Sequence, residues 1–407
     1  MIMKQFIKTA ILLLALLLPL TATAADFVVD GICYNIHGNE AAVASRRVPG
    51  FLFIGYSGDV VIPATVTYDG TTYPVTSIEA IAFYGSTELT SIVVPNSVTE
   101  IGQEAFGNCP GLTSIVVDSG NPRFDSRNNC NAIIETADNE LIAGCKNTII
   151  PNSVTKIGNF AFDCCDSLTS IVIPNSVTEI GHYAFYSCDS LTSIDIPNSV
   201  IEIGYGVFES CSGLTSIVVE SGNPRYDSHN NCNAIIETAS STLIAGCKNT
   251  TIPNSVTAIG DLAFAGCDGL TSIDIPNSVT EINYFAFYQC FGLTDVYCYI
   301  ADLSRVSTGY EPFCLDGYDY SGRTLHVLQG TADAYRADEN WYPYFGQIVE
   351  DIFIGDVNHD LEVNISDVNA VINMILSGND NTSAADVNGD GEVNISDINA
   401  LIDIILH

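Results

Sequence analysis

Residues 168–190 read LTSIVIPNSVTEIGHYAFYSCDS, and close variants of this stretch recur along most of the 407-residue chain. In its first part, LTSIVI, apolar and small polar residues alternate, which is typical of a short, half-buried strand. The Pro-Asn pair that follows predicts a turn, and VTEI supplies a second inward-facing edge. The apolar positions of AFYSC are spaced as on one side of a short helical turn. The stretch is therefore predicted to be one structural unit with a single apolar edge.

The units repeat at fixed spacing. Each begins near an Ile-Pro or Val-Pro pair, and these pairs lie at Pro63, Pro95, Pro151, Pro174, Pro197, Pro253 and Pro276. From Pro95 onward, neighbouring prolines are 23 residues apart where the units are short and 56 apart where a longer unit intervenes. A larger duplication of 102 residues superimposes Pro95 on Pro197. Because a lone unit cannot bury its apolar edge, the units are predicted to stack as a solenoid, about 4.8 Å per repeat.

The phrase LTSI-IPNSVTEIG-AF-C resembles the BspA-like leucine-rich repeat family over about residues 26–350. The resemblance implies a leucine-rich repeat solenoid, α/β in class, of short strands and short helical turns, over residues 25–351. The longer units, residues 119–147 and 221–249, each hold the apolar runs NAIIET and LIAGC around a polar turn, which predicts a hairpin insertion. The ends read as caps: residues 66–75 predict a hairpin, and residues 324–351 resemble the closing segment of the family.

Fourteen cysteines stand in the chain, and six of them lie 14 residues after the proline of their unit: Cys109, Cys165, Cys188, Cys211, Cys267 and Cys290. A constant slot beside Ala-Phe indicates buried packing thiols. Two alternatives remain at this point, a ladder of disulfides between units and staples that join Cys130 to Cys145 and Cys232 to Cys247. Zinc is not expected, because no cysteine has partners at ligand spacing.

The N-terminal sequence and the net charge of the chain restrict where the protein is expected to be located and which partners it is expected to bind. Residues 1–24 hold two lysines, an apolar run and a small-residue cleavage site at Ala22-Thr23-Ala24, which predicts a signal peptide and export. No later apolar run is long enough to span a bilayer. The chain has 13 Lys and Arg against 48 Asp and Glu, a net charge of −35. Nucleic acid and anionic membrane are therefore excluded as expected partners, and cations are favoured.

Two twelve-residue stretches near the C-terminus carry the strongest chemical signal. They are DVNHDLEVNISD (356–367) and DVNGDGEVNISD (386–397). Their oxygen-bearing residues fall where a calcium loop needs ligands, with Glu at position 7 offering its backbone carbonyl. The predicted ligands of two Ca²⁺ ions are Asp356, Asn358, Asp360, Glu362, Asn364 and Asp367 in the first loop, and Asp386, Asn388, Asp390, Glu392, Asn394 and Asp397 in the second.

An apolar, helix-like run follows each loop, but no helix is expected before it. This loop-helix duplication resembles a type I dockerin, a small all-α calcium-binding domain, which we place at residues 352–407. The resemblance implies docking to a cohesin module through loop positions 10 and 11, here Ile365-Ser366 and Ile395-Ser396. Near-identity of the two copies implies that docking can occur in either of two orientations. The first loop departs from the pattern with Leu361 at position 6, where the sharp turn favours Gly.

Catalytic motifs are absent from the sequence: we find no nucleophile elbow, no His-Glu-x-x-His and no phosphate or dinucleotide loop. Residues after each Ile-Gly vary between units, and five tyrosines there predict an aromatic ridge for protein or sugar contacts: Tyr183, Tyr186, Tyr205, Tyr284 and Tyr288. The alternative is that they only shield the turns. The strand face, rich in Thr-Ser pairs, is a competing surface.

The sequence thus predicts an exported or cell-surface, non-catalytic recognition protein. Its solenoid would bind a host or microbial protein or glycan, and its dockerin would attach it to a cohesin-bearing scaffold, in a polysaccharide-degrading assembly or in adhesion. Two alternatives stay open: a glycoside hydrolase component with an unrecognised carboxylate pair, and an adhesin whose calcium loops are only a structural cap.

Overall fold

A computed structural model describes residues 25–48, 52–53, 55–315, 319–358, 362–377 and 384–406. The predicted signal peptide, residues 1–24, lies outside the described residues, and so do Asp360 and Leu361 of the first loop.

The described chain is a solenoid of short strands followed by a pair of helices. One row of parallel strands forms what we call the main face, in three separate sheets. Its strands are Ser57–Val61, Glu88–Val94 and Ser114–Val117, then Ser193–Ile196 and Ser216–Val219, then Ser272–Ile275, Asp295–Cys298, Thr324–Leu328 and Gln347–Ile352. Equivalent residues of successive units pair in register, as Ile194 does with Ile217. The predicted stacking of repeats is confirmed.

The quoted unit itself differs from the prediction. Residues 168–173 form no strand, although Leu168 and Ile173 are buried as expected. Their neighbour on one side is the end of a long unit, where the N–H of Ile149 donates to the carbonyl oxygen of Cys130, 3.0 Å away. Thr251 makes the same bond to Cys232 in the second copy, yet Ser272–Ile275 there forms a strand because it pairs with Asp295–Cys298 on its other side. Residues 168–173 have no described strand paired with them on either side.

The second inward-facing edge also forms sheets, which we call the second face. Its strands are Phe27–Val29, Ile32–His37, Glu40–Val43, Thr65–Tyr68, Thr71–Ile78 and Glu100–Ile101 in the first sheet; Phe124–Asp125, Ile133–Glu135, Glu140–Ala143, Lys156–Ile157, Glu179–Ile180 and Glu202–Ile203 in the next; and Tyr226–Asp227, Ala234–Glu237, Thr242–Gly246, Ala258–Ile259, Glu281–Ile282 and Ser307–Thr308 in the last. A separate pair joins Arg47–Val48 to Leu52–Phe53.

The predicted hairpins are present in both long units. Ile133–Glu135 pairs antiparallel with Glu140–Ala143, and Ala234–Glu237 with Thr242–Gly246. Neither hairpin projects from the stack, because its second strand pairs in parallel with the next unit of the second face. The long units thus start new sheets of the second face. The N-terminal hairpin around Asp69-Gly70 also forms, with both residues at positive φ.

The third side of each unit consists of hydrogen-bonded turns where short helical turns were expected. In the quoted unit the N–H groups of Tyr183, Phe185 and Ser187 donate to carbonyl oxygens of the next unit. Tyr183 and Ser187 have φ near +54° and +53°. The N–H groups of Tyr186 and Cys188 donate instead within the unit, to Tyr183 and Phe185. Backbone bonds between repeats thus alternate with bonds inside each turn.

The core is a column of stacked phenylalanines with a thiol beside each ring. Phe162 and Phe185 stack with ring centroids 5.1 Å apart and planes 6° apart. The Cys211 thiol donates to the carbonyl oxygen of Phe185 in the preceding unit, 3.0 Å away, and Cys109, Cys188 and Cys290 make the equivalent bonds to Phe83, Phe162 and Phe264. All cysteines are free in the structure, so both disulfide alternatives are wrong there: Cys130 donates to Ala132 and Cys145 to Asn131.

Helix α1 (Ala332–Ala337) and the buried ring of Trp341 close the solenoid. One-turn 3-10 helices occur at Arg127–Asn129, His229–Asn231, Leu303–Arg305 and Tyr342–Tyr344. The C-terminal segment contains α2 (Ile365–Ser377) and α3 (Ile395–Leu406), which pack around Val371 and Leu401. In the described part of the chain, no helix has the length and apolar character needed to cross a membrane.

Candidate functional site

Each C-terminal helix is capped by the loop that precedes it. In the first copy the side chain of Asn364 accepts from the N–H of Ser366 at 2.8 Å, while Asp367 accepts from the N–H of Asn364 at 2.9 Å. Asn394, Ser396 and Asp397 repeat both bonds at 2.8 Å. These reciprocal bonds satisfy N–H groups that the first helical turn leaves without partners. The Asn and Asp at loop positions 9 and 12 therefore join each loop to its helix.

The two capping aspartates are buried in a segment that has no Lys or Arg. Asp367 and Asp397 are both 0% exposed. Their carboxylates accept hydrogen bonds from backbone N–H groups, such as that of Val357 to Asp367 at 2.8 Å. From Gly355 to the C-terminus the sequence has ten Asp and Glu and no Lys or Arg. A buried carboxylate needs a compensating charge, so the segment fits a bound cation.

The second loop has the backbone shape of a cation loop. Gly391, at position 6, has φ +89°, which an L side chain rarely adopts. Its N–H donates to Oδ2 of Asp386 at 3.0 Å, and the N–H of Asp390 donates to Oδ1 at 3.0 Å. Partial burial raises the pKa of Asp386, with the charges of Asp397 and Asp390 as smaller contributions. A bound cation would oppose that rise.

The predicted ligands do not all converge on one point. Asp356, Asp367 and Asp397 are buried; Asn364, Asp386 and Asn394 are half-buried; Asn358, Glu362, Asn388, Asp390 and Glu392 are exposed; Asp360 lies outside the described residues. Within the described ranges, no three His, Cys, Asp or Glu side chains gather as a metal cluster. Calcium loops also use amide and backbone oxygens and water, and Asp397 is turned toward backbone N–H groups. The donor chemistry fits calcium, whereas a ready-made carboxylate cage is not present.

The predicted docking residues are on the surface. Ile365 is 66% exposed and Ile395 is 70% exposed, each in the first turn of its helix, and Ser366 and Ser396 beside them are also exposed. An isoleucine so exposed at the same place in both copies buries nothing within this chain. The two pairs therefore present equivalent small apolar patches.

The five predicted tyrosines of the ridge do not form one surface. Tyr183 stacks on Phe160 and meets Tyr205 edge-on with ring centroids 5.2 Å apart. The small Gly206 leaves room for the Tyr183 ring. Tyr205 and Tyr284 are half exposed or more, and Tyr288 is half-buried and contacts Phe285.

Tyr186 is a correction to that prediction. It is only 9% exposed, so it is a core residue and not a contact on the ridge. Its ring lies near Glu209 and Asp163, and burial raises the pKa of its hydroxyl. The sequence pattern placed it on the ridge because it follows Phe185 directly, but the turn directs it inward.

Two polar clusters were missed by the sequence analysis. On the main face, His326 stacks on Tyr297 and lies between Asp351 and Asp295, at 2.8 and 3.1 Å. Residues so far apart in the chain share a face only because the strands Asp295–Cys298, Thr324–Leu328 and Gln347–Ile352 are adjacent.

The other missed cluster lies inside the solenoid, where the long units interrupt it. Burial raises the pKa of Asp163 to about 8 and that of Glu209 to about 7. Each has one buried carboxyl oxygen without a hydrogen-bond partner in the structure. The signal available in the sequence was the duplication of 102 residues, which aligns Asp163 with Ala265 and Glu209 with Gly107.

Comparison with protein families agrees with this architecture. Residues 70–137, 139–243 and 235–307 match the family described as BspA type Leucine rich repeat region, in six copies, and they cover more than half of the chain. The chain belongs to this BspA-type family. Residues 354–406 match the Dockerin type I domain, a domain type that binds calcium. Both are non-catalytic module types, and both typically occur in extracellular or surface proteins.

Solved structures of bacterial leucine-rich repeat proteins resemble the chain. A leucine-rich cell surface protein from Faecalibacterium prausnitzii is 22% identical, covering 83% of this chain and 97% of its own, with a TM-score of 0.41. A leucine-rich repeat protein from Bacteroides ovatus is 25% identical, covering 79% and 88%, with a TM-score of 0.31. One from Eubacterium ventriosum is 19% identical, covering 64% and 77%, with a TM-score of 0.42. No curated protein matches the sequence.

Proposed function

We propose that this BspA-type protein is an exported, non-catalytic recognition component: its solenoid binds a protein or glycan, and its dockerin attaches it through calcium to a cohesin-bearing scaffold. The observation that carries the proposal is the paired exposure of Ile365 and Ile395. An apolar side chain kept in water at the same position of two copies is explained by burial against a partner. The adjacent Ser366 and Ser396 supply hydrogen-bonding groups at the edge of each patch.

Calcium is proposed to act as a structural ion in both loops. The buried Asp367 and Asp397 supply negative charge in a segment that has no Lys or Arg to offset it. The segment is too small to fold on apolar burial alone, so the ions would supply part of its stability. Docking then depends on calcium because it depends on the two helices being formed.

Docking is tested with the full chain as bait on culture supernatant of the producing organism, in calcium and in chelator. A captured protein that carries a cohesin module, released by chelator, is the expected result. Replacing Ile365-Ser366 by two aspartates, or Ile395-Ser396 likewise, should leave capture in place, and replacing both pairs should abolish it. Val172→Asp, at an aliphatic side chain of the solenoid that is 82% exposed, is the control.

Other outcomes lead to the alternatives. Calcium-dependent folding without any cohesin partner would favour loops that only cap the chain. Release of reducing sugar from polysaccharide by the purified protein would favour a hydrolase component. Neither alternative has an observation of its own in the structure.

For the solenoid, the exposed members of the ridge are the proposed contacts. Tyr205 is 51% exposed and Tyr284 is 57% exposed, and tyrosine offers both a flat apolar face and a hydroxyl. Tyr205→Ala and Tyr284→Ala should weaken binding to immobilised matrix proteins or polysaccharides. Tyr342→Ala in the closing segment, where the side chain is 58% exposed, is the control. Equal binding by all three variants would exclude the ridge as the contact surface.

A further inference from the structure

The solenoid touches the second loop of the dockerin through one asparagine. Nδ2 of Asn254 donates to Oδ2 of Asp386, 2.9 Å away. Asn254 belongs to an Ile-Pro-Asn turn of the solenoid, and Asp386 is the first residue of the loop. The bond therefore joins residues that lie 132 positions apart.

The contact is specific to this one turn. The equivalent asparagines of the other units are all exposed, namely Asn96, Asn152, Asn175, Asn198 and Asn277, whereas Asn254 is half-buried. Asn152 is the counterpart of Asn254 in the 102-residue duplication, in the same turn after the same kind of long unit. What distinguishes Asn254 is thus the dockerin that lies against it.

Apolar residues hold the same boundary together. Tyr299, Leu328 and Ile352 of the last repeats form a buried cluster with Ala384, which lies two residues before Asp386. Ala384 is 4% exposed and Tyr299 is 7% exposed. Beside the cluster lies a cleft of about 560 Å³, lined on one side by Asn277 and Arg305 and on the other by residues 386–391. The chain is therefore buried at Ala384, just before the second loop, whereas residues 386–391 of the loop face an open cleft.

The carboxylate of Asp386 is oriented by hydrogen bonds from the solenoid and from its own loop. The donors of the loop include the N–H groups of Asp390 and Gly391. Groups that hold a metal ligand in place from outside the coordination sphere change metal affinity by about 10- to 100-fold when they are removed. Asn254 is such a group, because it holds the carboxylate of Asp386 at the first ligand position of the loop.

We propose that the solenoid completes the second calcium site: Asn254 orients Asp386 for the ion, and calcium in turn holds the second loop against the last repeats. The inference rests on the proposed calcium loops. Because coupling between two binding events is reciprocal, an asparagine that strengthens calcium binding is itself held more firmly when calcium is bound. The ion would then set the direction in which the solenoid points from the docking site.

The test compares Asn254→Ala with Asn152→Ala in the full chain, by calorimetric titration with calcium. Asn254→Ala should weaken one of the two sites by roughly ten-fold and leave the other unchanged, whereas Asn152→Ala should leave both unchanged. Thermal melting in chelator verifies that both variants fold. Equal affinities in Asn254→Ala and the parent would overturn the inference, as would an equal loss at both sites.

Hydrogen exchange gives the second readout. Calcium should slow exchange of the amides around Tyr299 and Leu328 in the parent and in Asn152→Ala, and much less in Asn254→Ala. Slowing that is the same in all three proteins would overturn the inference. A parent protein that binds no calcium would instead refute the proposed function itself, so the two failures are distinguishable.

Discussion

The carboxyl group of Asp163 occupies the space that a side chain on Gly107 would need. A Cβ built on Gly107 would collide with Oδ2 of Asp163. The backbone joins the same two turns, because the N–H of Asn108 donates to the carbonyl oxygen of Asp163 at 3.1 Å. In the second copy of the duplication the N–H of Ser210 donates to Ala265 at 2.9 Å, and the acid is Glu209. Each of these two contacts between turns therefore buries one carboxyl group. In the first copy the later turn supplies it, as Asp163, and in the second copy the earlier turn supplies it, as Glu209.

These two acids predict that the protein is more stable in mild acid than in mild base. Glu104, Asp166 and Cys164 face Asp163, while Tyr183 and Tyr186 lie near Glu209, and none of them supplies a positive charge. Both folded-state pKa values are raised above the ordinary values of 3.8 and 4.5, to about 8 and about 7. Folding therefore favours the protonated acids, and stability is lost as pH rises from about 4 to about 8.

The measurement is the free energy of unfolding from denaturant titrations at pH 5 and pH 8. The loss should be on the order of a few kcal/mol for the two groups together. The double variant Asp163→Asn, Glu209→Gln should remove most of this loss of stability. The acidic surface residues contribute equally to the pH dependence of both proteins. If the double variant kept the full pH dependence, the buried acids would not be its source.

The cysteine thiols should react much more slowly in the folded protein than in the unfolded protein. Burial raises the pKa of Cys109 and Cys290 to about 12, which disfavours the reactive thiolate. Thirteen of the cysteines are buried and Cys314 is half-buried. A thiol reagent should therefore react slowly with the native protein and with at least six groups per chain in non-reducing denaturant. A count below six would contradict the packing role of the slot.

Removing residues 353–407 should leave the solenoid folded. Repeats are stabilised by their neighbours, and the buried Trp341 with α1 closes the stack before the cut. Circular dichroism and thermal melting of residues 25–352 provide the measurement. The truncated protein should bind more of a hydrophobic dye than the parent, since Tyr299 and Leu328 lose their cover. Loss of the cooperative transition would show that the two domains fold as one.

The two calcium sites should differ in affinity. Gly391 adopts φ +89° at position 6 of the second loop, and a leucine in a left-handed conformation costs about 1–2 kcal/mol. With Leu361 at that position, the first loop should bind calcium roughly ten-fold more weakly. Leu361→Gly should close the gap in a calorimetric titration, and Asp386→Ala should lower stability more than Asp356→Ala. Two equal sites in the parent would refute this.

Several features of the fold were accessible from the sequence because they repeat. The 23-residue period, the Pro-Asn turn and the Cys188 slot recur with one apolar edge, and the predicted solenoid, hairpins and capping hairpin at Asp69-Gly70 are confirmed. The strand predicted at residues 168–173 was wrong because strand formation needs a paired neighbour, and no described strand pairs with these residues. The repeat period predicts the local structure that one unit favours, but it does not show whether a neighbouring strand is present to pair with it.

Contacts between distant segments were not accessible in this way. Asn254 and Asn152 occupy identical local sequence contexts, so only the position of the dockerin distinguishes them. Tyr186 was misplaced because the turn around it, with positive φ at Tyr183 and Ser187, directs its side chain inward. The pairing of His326 with Asp295 and Asp351 likewise depends on which strands are adjacent.

The breaks in the two strand faces are staggered along the stack. The second face is interrupted between Ile101 and Phe124, where Val94 and Val117 still pair on the main face. The main face is interrupted after Val117, where Leu141 and Ile157 still pair on the second face. Each break in one face thus lies beside continuous strand pairing in the other face. A protein anchored at one end and pulled at the other would meet backbone hydrogen bonds at each of these levels, so tension would have to break the bonds of at least one face before the stack could part.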